Sequence, residues 1–285
     1  PSGGISDMII DFHCHAFAKK IAEKAVAFLE NYYGIMAEKR RGDLKDALTI
    51  ETTAGVDYFV LLVAATKPEQ VIPANNWVVD VKKLGANELS LLSGLPRTAQ
   101  PIIFGTIHPY YKDNQNELQR LRAEGIKGIK IHPEFQGFGL DDPKMYPLYE
   151  AFGEDLILLT HVGDKNPHPD NPSTPLKLKK VLRNFPRLRV VAAHLGGYHF
   201  WNDTLTELAG RDLYFDLSST LKYIDPVLLK EIINRHGTEK LLFGSDYPIG
   251  DPAAELQLLE EMSIFTSSQF EAVAGLNAQR LLAIG

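Results

Sequence analysis

The chain holds a single cysteine, Cys14, among 285 residues. A lone thiol forms no internal disulfide, so a disulfide-stapled scaffold is excluded and a reducing compartment, the cytoplasm, is the expected setting. No run of about 18 uninterrupted apolar residues occurs, so no membrane span is expected. Pro1 to Asp7 lack both a cationic start and an apolar core, and no secretory signal is read there. Positive charge is not in excess: 30 Lys and Arg face 36 Asp and Glu, a net charge of −6. Such a balance gives a polyanion nothing to hold, and nucleic acid is not an expected partner. Glycine signatures for phosphate are missing too, with no G-x-G-x-x-G and no Walker sequence. What is present is an ordinary globular composition, 45% apolar and 23% charged, enough to bury a core.

Short β-rich runs recur at 8–13, 58–63, 102–107, 127–132, 156–161, 189–194, 213–217 and 240–246. Each is rich in Ile, Val, Leu or Phe, as strands buried on both faces are. Helical patterns lie between them at 17–30, 76–84, 116–124, 143–152, 175–185, 200–209, 226–235 and 252–262, with a closing pair at 268–274 and 277–283. In the first, Phe17, Ile21, Ala25, Phe28 and Leu29 repeat at helical spacing. Several others open on proline, whose missing N–H costs nothing in a first turn. The alternation predicts a parallel sheet. Eight units in this length predict an α/β fold, a closed (β/α)8 TIM-type barrel in a single domain over 1–285. An open doubly wound sheet is the competing reading, but the first strand lacks that fold's glycine-rich turn. The long stretches 15–58 and 63–102 predict helical insertions after strands 1 and 2, at the barrel mouth. Residues 1–7 are expected to be an unstructured or foreign lead ahead of a natural start at Met8.

Five strand candidates end in residues that bind metals or move protons: Asp11-Phe12-His13-Cys14-His15, Lys130-Ile131-His132, Thr160-His161, Ala193-His194 and Gly244-Ser245-Asp246. The C-terminal ends of barrel strands are where such folds carry their chemistry. Residues two apart on a strand share a face, so Asp11, His13 and His15 are expected to point inward and Phe12 and Cys14 outward. Two imidazoles on one face, a third from a neighbouring strand and an opposing carboxylate make a nitrogen–oxygen site suited to Zn²⁺ or a similar ion. The alternative is a set of core histidines bonded to backbone carbonyls.

These segments, together with Gly128-Ile129-Lys130-Ile131-His132-Pro133, Thr160-His161-Val162-Gly163, Ala193-His194-Leu195-Gly196-Gly197 and Phe243-Gly244-Ser245-Asp246-Tyr247-Pro248, resemble the amidohydrolase superfamily. The likeness is to its amidohydrolase-2 branch, which includes aminocarboxymuconate semialdehyde decarboxylase relatives. The resemblance implies one divalent metal, zinc with manganese or iron as alternatives, held by His13, His15, His161 and Asp246. It implies catalytic roles for Asp246 as proton carrier of a metal-bound water and for His194 as stabiliser of the developing oxyanion. Two-metal relatives carbamylate a lysine at the end of strand four. Lys130 stands at a comparable place, though a substrate-facing anion clamp is the favoured role. Relatives are often dimers, so a homodimer is expected, with the terminal helices as a source of interface.

The remaining candidates concern substrate. His132 shares the face of Lys130, and His108 follows strand three; either lines the pocket or shapes a loop. Tyr198 and Trp201 lie in the loop after strand six. Asp11 either orients a ligand histidine or accepts a structural hydrogen bond. Asp216 reads as a loop brace, Cys14 as packing, His168 as solvated, and His199 and His236 as helical residues without chemistry. The main functional reading is a metal-dependent hydrolase acting on a small molecule with a C–N or C–O bond at a carbonyl. The alternative is a non-oxidative decarboxylase of a small unsaturated or aromatic carboxylic acid, and a second alternative is a non-catalytic metal- or ligand-binding barrel. A decarboxylase must hold a carboxylate, yet no arginine adjoins a strand end. Arg40, Arg41 and Arg97 are the nearest, and this tilts the reading toward hydrolysis.

Overall fold

The computed structural model describes residues 8–37 and 40–284; the expectation for 1–7 lies outside the described residues. Eight parallel strands follow one another around a barrel in chain order. They are β1 (Ile10–His15), β2 (Tyr58–Leu62), β3 (Gln100–Thr106), β4 (Gly128–Ile131), β5 (Ile157–Thr160), β6 (Arg189–Ala192), β7 (Tyr214–Asp216) and β8 (Leu241–Leu242). Consecutive order excludes the doubly wound sheet, whose order reverses. The last strand is shorter than its sequence pattern. Beyond Leu242 the chain still closes the barrel on β1, through Phe12 N–H to Phe243 O (2.9 Å), Asp246 N–H to His13 O (2.7 Å) and His15 N–H to Tyr247 O (2.8 Å). It then turns sharply, with Asp246 at φ 60°.

The pleat sorts the strand residues into two layers. Val60, Leu62, Phe104, Ile157, Leu159, Val191 and Leu242 fill the barrel interior, while Phe59, Leu61, Ile103, Ile129, Leu158, Val190 and Phe215 pack outward. Gly128 opens β4 facing inward. A Cβ there would lie 2.4 Å from the Phe104 ring, so the glycine makes room for that aromatic. On β1 the alternation breaks. Asp11 pairs with Phe59 but Cys14 with Leu61, a bulge that inserts one residue. Ile10 and Phe12 therefore face the interior, and so does His13. Strict alternation places Phe12 outside and Asp11 inside; the bulge reverses both. Asp11 lies outward beside Glu51, and its Oδ1 braces the backbone N–H groups of His13 (2.8 Å) and Ser245 (3.0 Å). Cys14 packs outward as expected.

The two insertions differ. The first contains the helix Leu44–Thr53, which leads into β2, and an extra helix Lys19–Tyr33. The latter reaches the mouth, where Tyr32 Oη donates to Asp164 Oδ2 (2.5 Å). In the second, Val71–Lys82 packs on β3, and the extra helix Ala86–Ser93 lies at the opposite end of the barrel. There it borders an open hollow of about 760 Å³ with Asp57, Tyr58 and Gln100, at the starts of β2 and β3. Helix Val71–Lys82 has by then carried the chain back to the strand starts, so only the first insertion is at the mouth. No helix among the described residues is long and apolar enough to cross a membrane.

One polar residue ties this scaffold to the sheet. Buried Asn75 donates to Thr106 O (2.9 Å) and Glu117 Oε1 (2.7 Å), and its Oδ1 accepts Thr106 N–H (2.8 Å). It satisfies backbone groups at the end of β3 that have no strand partner on that side. Asn75→Ala strands these groups without water, and chemical denaturation is expected to show a loss of about 3 kcal/mol. A loss below about 1 kcal/mol would mean that water replaces the amide.

Candidate active site

The inward bulge on β1 presents His13 and His15 at the mouth, where β5, β6 and the segment after β8 present His161, His194 and Asp246. The tautomer of each ring follows from the acceptor its outer nitrogen meets. His13 Nδ1–H donates to Asp216 Oδ2 (2.9 Å) and His15 Nδ1–H to Leu62 O (3.3 Å). His161 Nε2–H donates to Gly163 O (3.0 Å) and His194 Nδ1–H to Ser218 O (3.0 Å). Four lone pairs then face inward, that of His13 with Lys130 Nζ 3.3 Å away. Nε2 of His13 and Nε2 of His15 are 3.1 Å apart, and His161 Nδ1 and His194 Nε2 are 3.0 Å apart.

Facing lone pairs repel unless a proton or a cation lies between them. Protons are scarce here. Burial, helped by the charge on Lys130, holds His13, His15 and His161 well below the usual imidazole value, and burial takes His194 to about 4. A cation fits the geometry: two nitrogens each about 2 Å from one divalent ion stand roughly 3 Å apart. Asp246 Oδ1 adds a carboxylate 3.5 Å from His13 Nε2 and 3.8 Å from His15 Nε2. Its Oδ2 is fixed by Ser219 Oγ–H (2.6 Å). Burial raises the Asp246 carboxyl to about 7, against the lowering effects of Ser219 and Lys130. Ligand atoms of His13, His194 and Asp246 also lie within 4.8 Å of one another, so His194 stands as near this centre as the residues expected to ligate. The backbone is held in the left-handed region at His194 (φ 58°), Ser219 (φ 48°) and Asp246 (φ 60°), a costly conformation that concentrates at working sites.

Other expectations change on contact with the structure. Lys130 is fully buried among the histidines, with Nζ 3.3 Å from His13 Nε2. His108 shapes its loop: its ring accepts Tyr110 N–H (3.3 Å) and packs on Phe138. Trp201 is buried and its indole N–H holds the His194 carbonyl (3.0 Å), so it supports the site from behind. His132 is buried in a stack between Phe135 and His161. Tyr198 lines the cleft. His199 is exposed at φ 61° in a turn, outside any helix. The Arg40 guanidinium donates to the carbonyls of Pro248 (2.7 Å) and Ile249 (2.9 Å), and so fastens the loop after Asp246. Arg97 sits at the far end of the barrel with Asp57.

Several working residues carry no signature in the sequence. Asp216 is more than a loop brace: it fixes the His13 tautomer with one oxygen, while the other accepts His194 N–H (3.1 Å) and Ser218 Oγ–H (2.5 Å). Ser219 and the wall residues Tyr33, Ile35, Tyr223 and Ile249 belong to no strand-end motif either. With His161, His194, Tyr198 and Asp246 these line a narrow cleft that leaves about 10 Å³ of free space.

The sequence profile of the amidohydrolase family matches residues 10–284. A curated relative, the 2-amino-3-carboxymuconate-6-semialdehyde decarboxylase of Dictyostelium discoideum, is 28% identical over 206 residues, 59% of this chain and 56% of the relative. The match thus spans little more than half of that protein. Among solved structures, 5-carboxyvanillate decarboxylase from Sphingomonas paucimobilis superposes with a TM-score of 0.70 at 17% identity, covering 98% of this chain and 100% of the other. A dihydroxybenzoic acid decarboxylase from Polaromonas, solved with bound manganese and 2-nitroresorcinol, superposes at 0.67 with 15% identity, covering 97% of each chain. The two superpositions show a shared barrel fold, and the profile match across nearly the whole chain shows that this protein belongs to the amidohydrolase family.

Proposed function

We propose that the protein is a metal-dependent, non-oxidative decarboxylase of a small unsaturated or aromatic carboxylic acid. The observation that carries the reading is the cleft itself: a tight opening walled by Tyr33, Tyr198, Tyr223, Ile35 and Ile249, with carboxylate and imidazole at its floor. Hydrolysis needs a water beside the substrate, whereas protonation of a carbon is favoured by a dry, aromatic wall. The three relatives described above are decarboxylases by name, and this supports the same choice. The missing arginine, which favoured hydrolysis in the sequence, does not discriminate, because the buried Lys130 ammonium and a divalent ion both supply positive charge.

His13, His15, His161 and Asp246 would hold the metal, with His194 beside them. When bound, a divalent ion supplies positive charge that draws the substrate carboxylate and a neighbouring oxygen to the floor of the cleft. The tyrosine rings hold the flat part of the acid and keep water out. The C–C bond to the carboxylate breaks, CO₂ leaves, and the vacated carbon takes one proton. We assign the delivery of that proton to Asp246: its carboxylate would take it from the substrate's own hydroxyl as the acid binds and pass it to the vacated carbon, the substrate oxygen being reprotonated from water on release, with Oδ1 facing the histidines and Oδ2 held by Ser219. His194 Nε2, an acceptor by its tautomer, orients a substrate hydroxyl. The test is CO₂ release from a panel of hydroxylated aromatic and unsaturated acids by protein loaded with Zn²⁺ or Mn²⁺, beside a panel of amides and lactones. Release from an acid is the expected result. Turnover confined to amides or lactones would replace this reading by hydrolysis.

A further inference from the structure

The extra helix Lys19–Tyr33 brings to the cleft a group that none of the strand-end motifs contains, the Tyr33 hydroxyl. Its oxygen lies 3.4 Å from His132 Nε2. His132 is itself fixed. It caps the short helix Pro133–Gln136, and its Nδ1 accepts the Phe135 N–H (3.4 Å). A ring nitrogen that accepts carries no proton, so the neutral ring carries it on Nε2. The ring cannot turn over easily, because it is stacked between Phe135 (3.8 Å, 6°) and His161 (4.0 Å, 11°). Nε2–H therefore donates to Tyr33 Oη. The phenol's own hydrogen is then left over, and the remaining direction open to it is the cleft.

The same histidine could be read differently. Ligand atoms of His132, Glu134 and His161 lie within 4.8 Å of one another. But the two rings are stacked nearly parallel at 4.0 Å, so their in-plane lone pairs run side by side and do not converge on one ion. Glu134 Oε1 is instead engaged by Ser173, which donates to it from both backbone N–H (2.8 Å) and hydroxyl (2.5 Å), while Oε2 stands 3.7 Å from His132 Nδ1, beyond a hydrogen bond. The cluster is better suited to aiming a donor than to holding a cation.

We propose that Tyr33 binds substrate, donating its hydroxyl hydrogen to an oxygen of the bound acid, and that His132 is the positioning residue that sets the direction of that donation. The identity of the ligand as an acid rests on the decarboxylase reading above. A donor fixed before the ligand arrives loses little freedom on binding, so it contributes to affinity. Because it sits on the insertion rather than on a strand, it also selects among substrates without touching the chemistry. Burial pushes the Tyr33 phenol well above its usual value, so it stays a donor across the working pH range.

The experiment is calorimetric binding of hydroxylated aromatic acids to the metal-loaded protein, with KM and kcat wherever CO₂ is released. Tyr33→Phe is expected to weaken binding about ten-fold, the size of one hydrogen bond to a charged acceptor, and to raise KM by the same factor with kcat within about two-fold. His132→Phe, which keeps the stack, should give the same loss, and the double variant should be no worse than either single one. Unchanged binding by Tyr33→Phe overturns the proposal, as do losses that multiply in the double variant. If His132→Phe does not fold, Tyr33→Phe alone decides. Acids that bind without losing CO₂ would refute the decarboxylase reading yet still test Tyr33, because binding alone reports it. No binding of any acid would overturn both.

Discussion

Replacing His13 by alanine is expected to remove bound metal and to lower turnover by at least about 10³-fold, roughly 4 kcal/mol of transition-state stabilisation, while the barrel stays folded. His13 is the hub of the centre. Its Nε2 lies 3.1 Å from His15, 3.3 Å from Lys130 and 3.5 Å from Asp246, and its Nδ1 meets Asp216 and Ser218. Losing it deletes one lone pair outright. It also leaves His15 without the neighbour that would share an ion with it. Folding should survive, because Asp216 keeps hydrogen bonds from His194 N–H and from Ser218 N–H and Oγ–H. Elemental analysis of the purified variant, circular dichroism and CO₂ release together check the result. Full metal content with normal turnover would show that the ion, if any, sits elsewhere. Metal lost with turnover intact would show that the chemistry needs none.

The sequence made the architecture legible to an unusual depth because the barrel writes each unit twice, once in a short apolar strand and once in the polar residue at its end. All eight strands fall inside or beside their expected runs, and the histidines of β1, β5 and β6 converge with Asp246. What escaped has one physical origin: it depends on contacts between residues far apart in the chain. The bulge on β1 is set by pairing with β2 and reverses Asp11 and Phe12. Asp216 matters because its oxygens reach His13 and the His194 backbone, 203 and 22 residues away. The role of Arg40 depends on Pro248 and Ile249, more than 200 residues away. Tyr33 has no strand-end address at all; a helix of the insertion carries it over the cleft. Motifs reveal what a strand presents, and they are silent about what a distant element lays across it.

Asp246→Asn should lose turnover as completely as the His13 variant, but by a different route and with a pH-dependent effect on stability. Asparagine keeps the volume of aspartate and can still accept the Ser219 hydroxyl at one end. At the other end it offers an N–H₂ group, 3.5 Å from His13 Nε2 in the present geometry. That group donates to the lone pair a cation would use, carries no negative charge to hold the ion, and has no proton to give a carbon. A fall of at least about 10³-fold is expected. Stability is the discriminating readout, measured on protein stripped by a chelator. In the folded, metal-free chain burial raises Asp246 from 3.8 to about 7. The folded state therefore holds this proton more tightly than the unfolded state does. Its contribution to stability is fully present below the unfolded value and is lost as pH rises through about 7. The substituted amide titrates nowhere in that range. Denaturation from pH 4 to pH 8 should thus show the variant gaining on the stripped wild type as pH rises, with the gap levelling off above the folded value. Saturating metal should reverse the order, since the ion stabilises only the chain that can bind it. A gap that does not change with pH would mean that Asp246 is already ionised at pH 4 in the folded, metal-free chain, against the raised value that burial gives it.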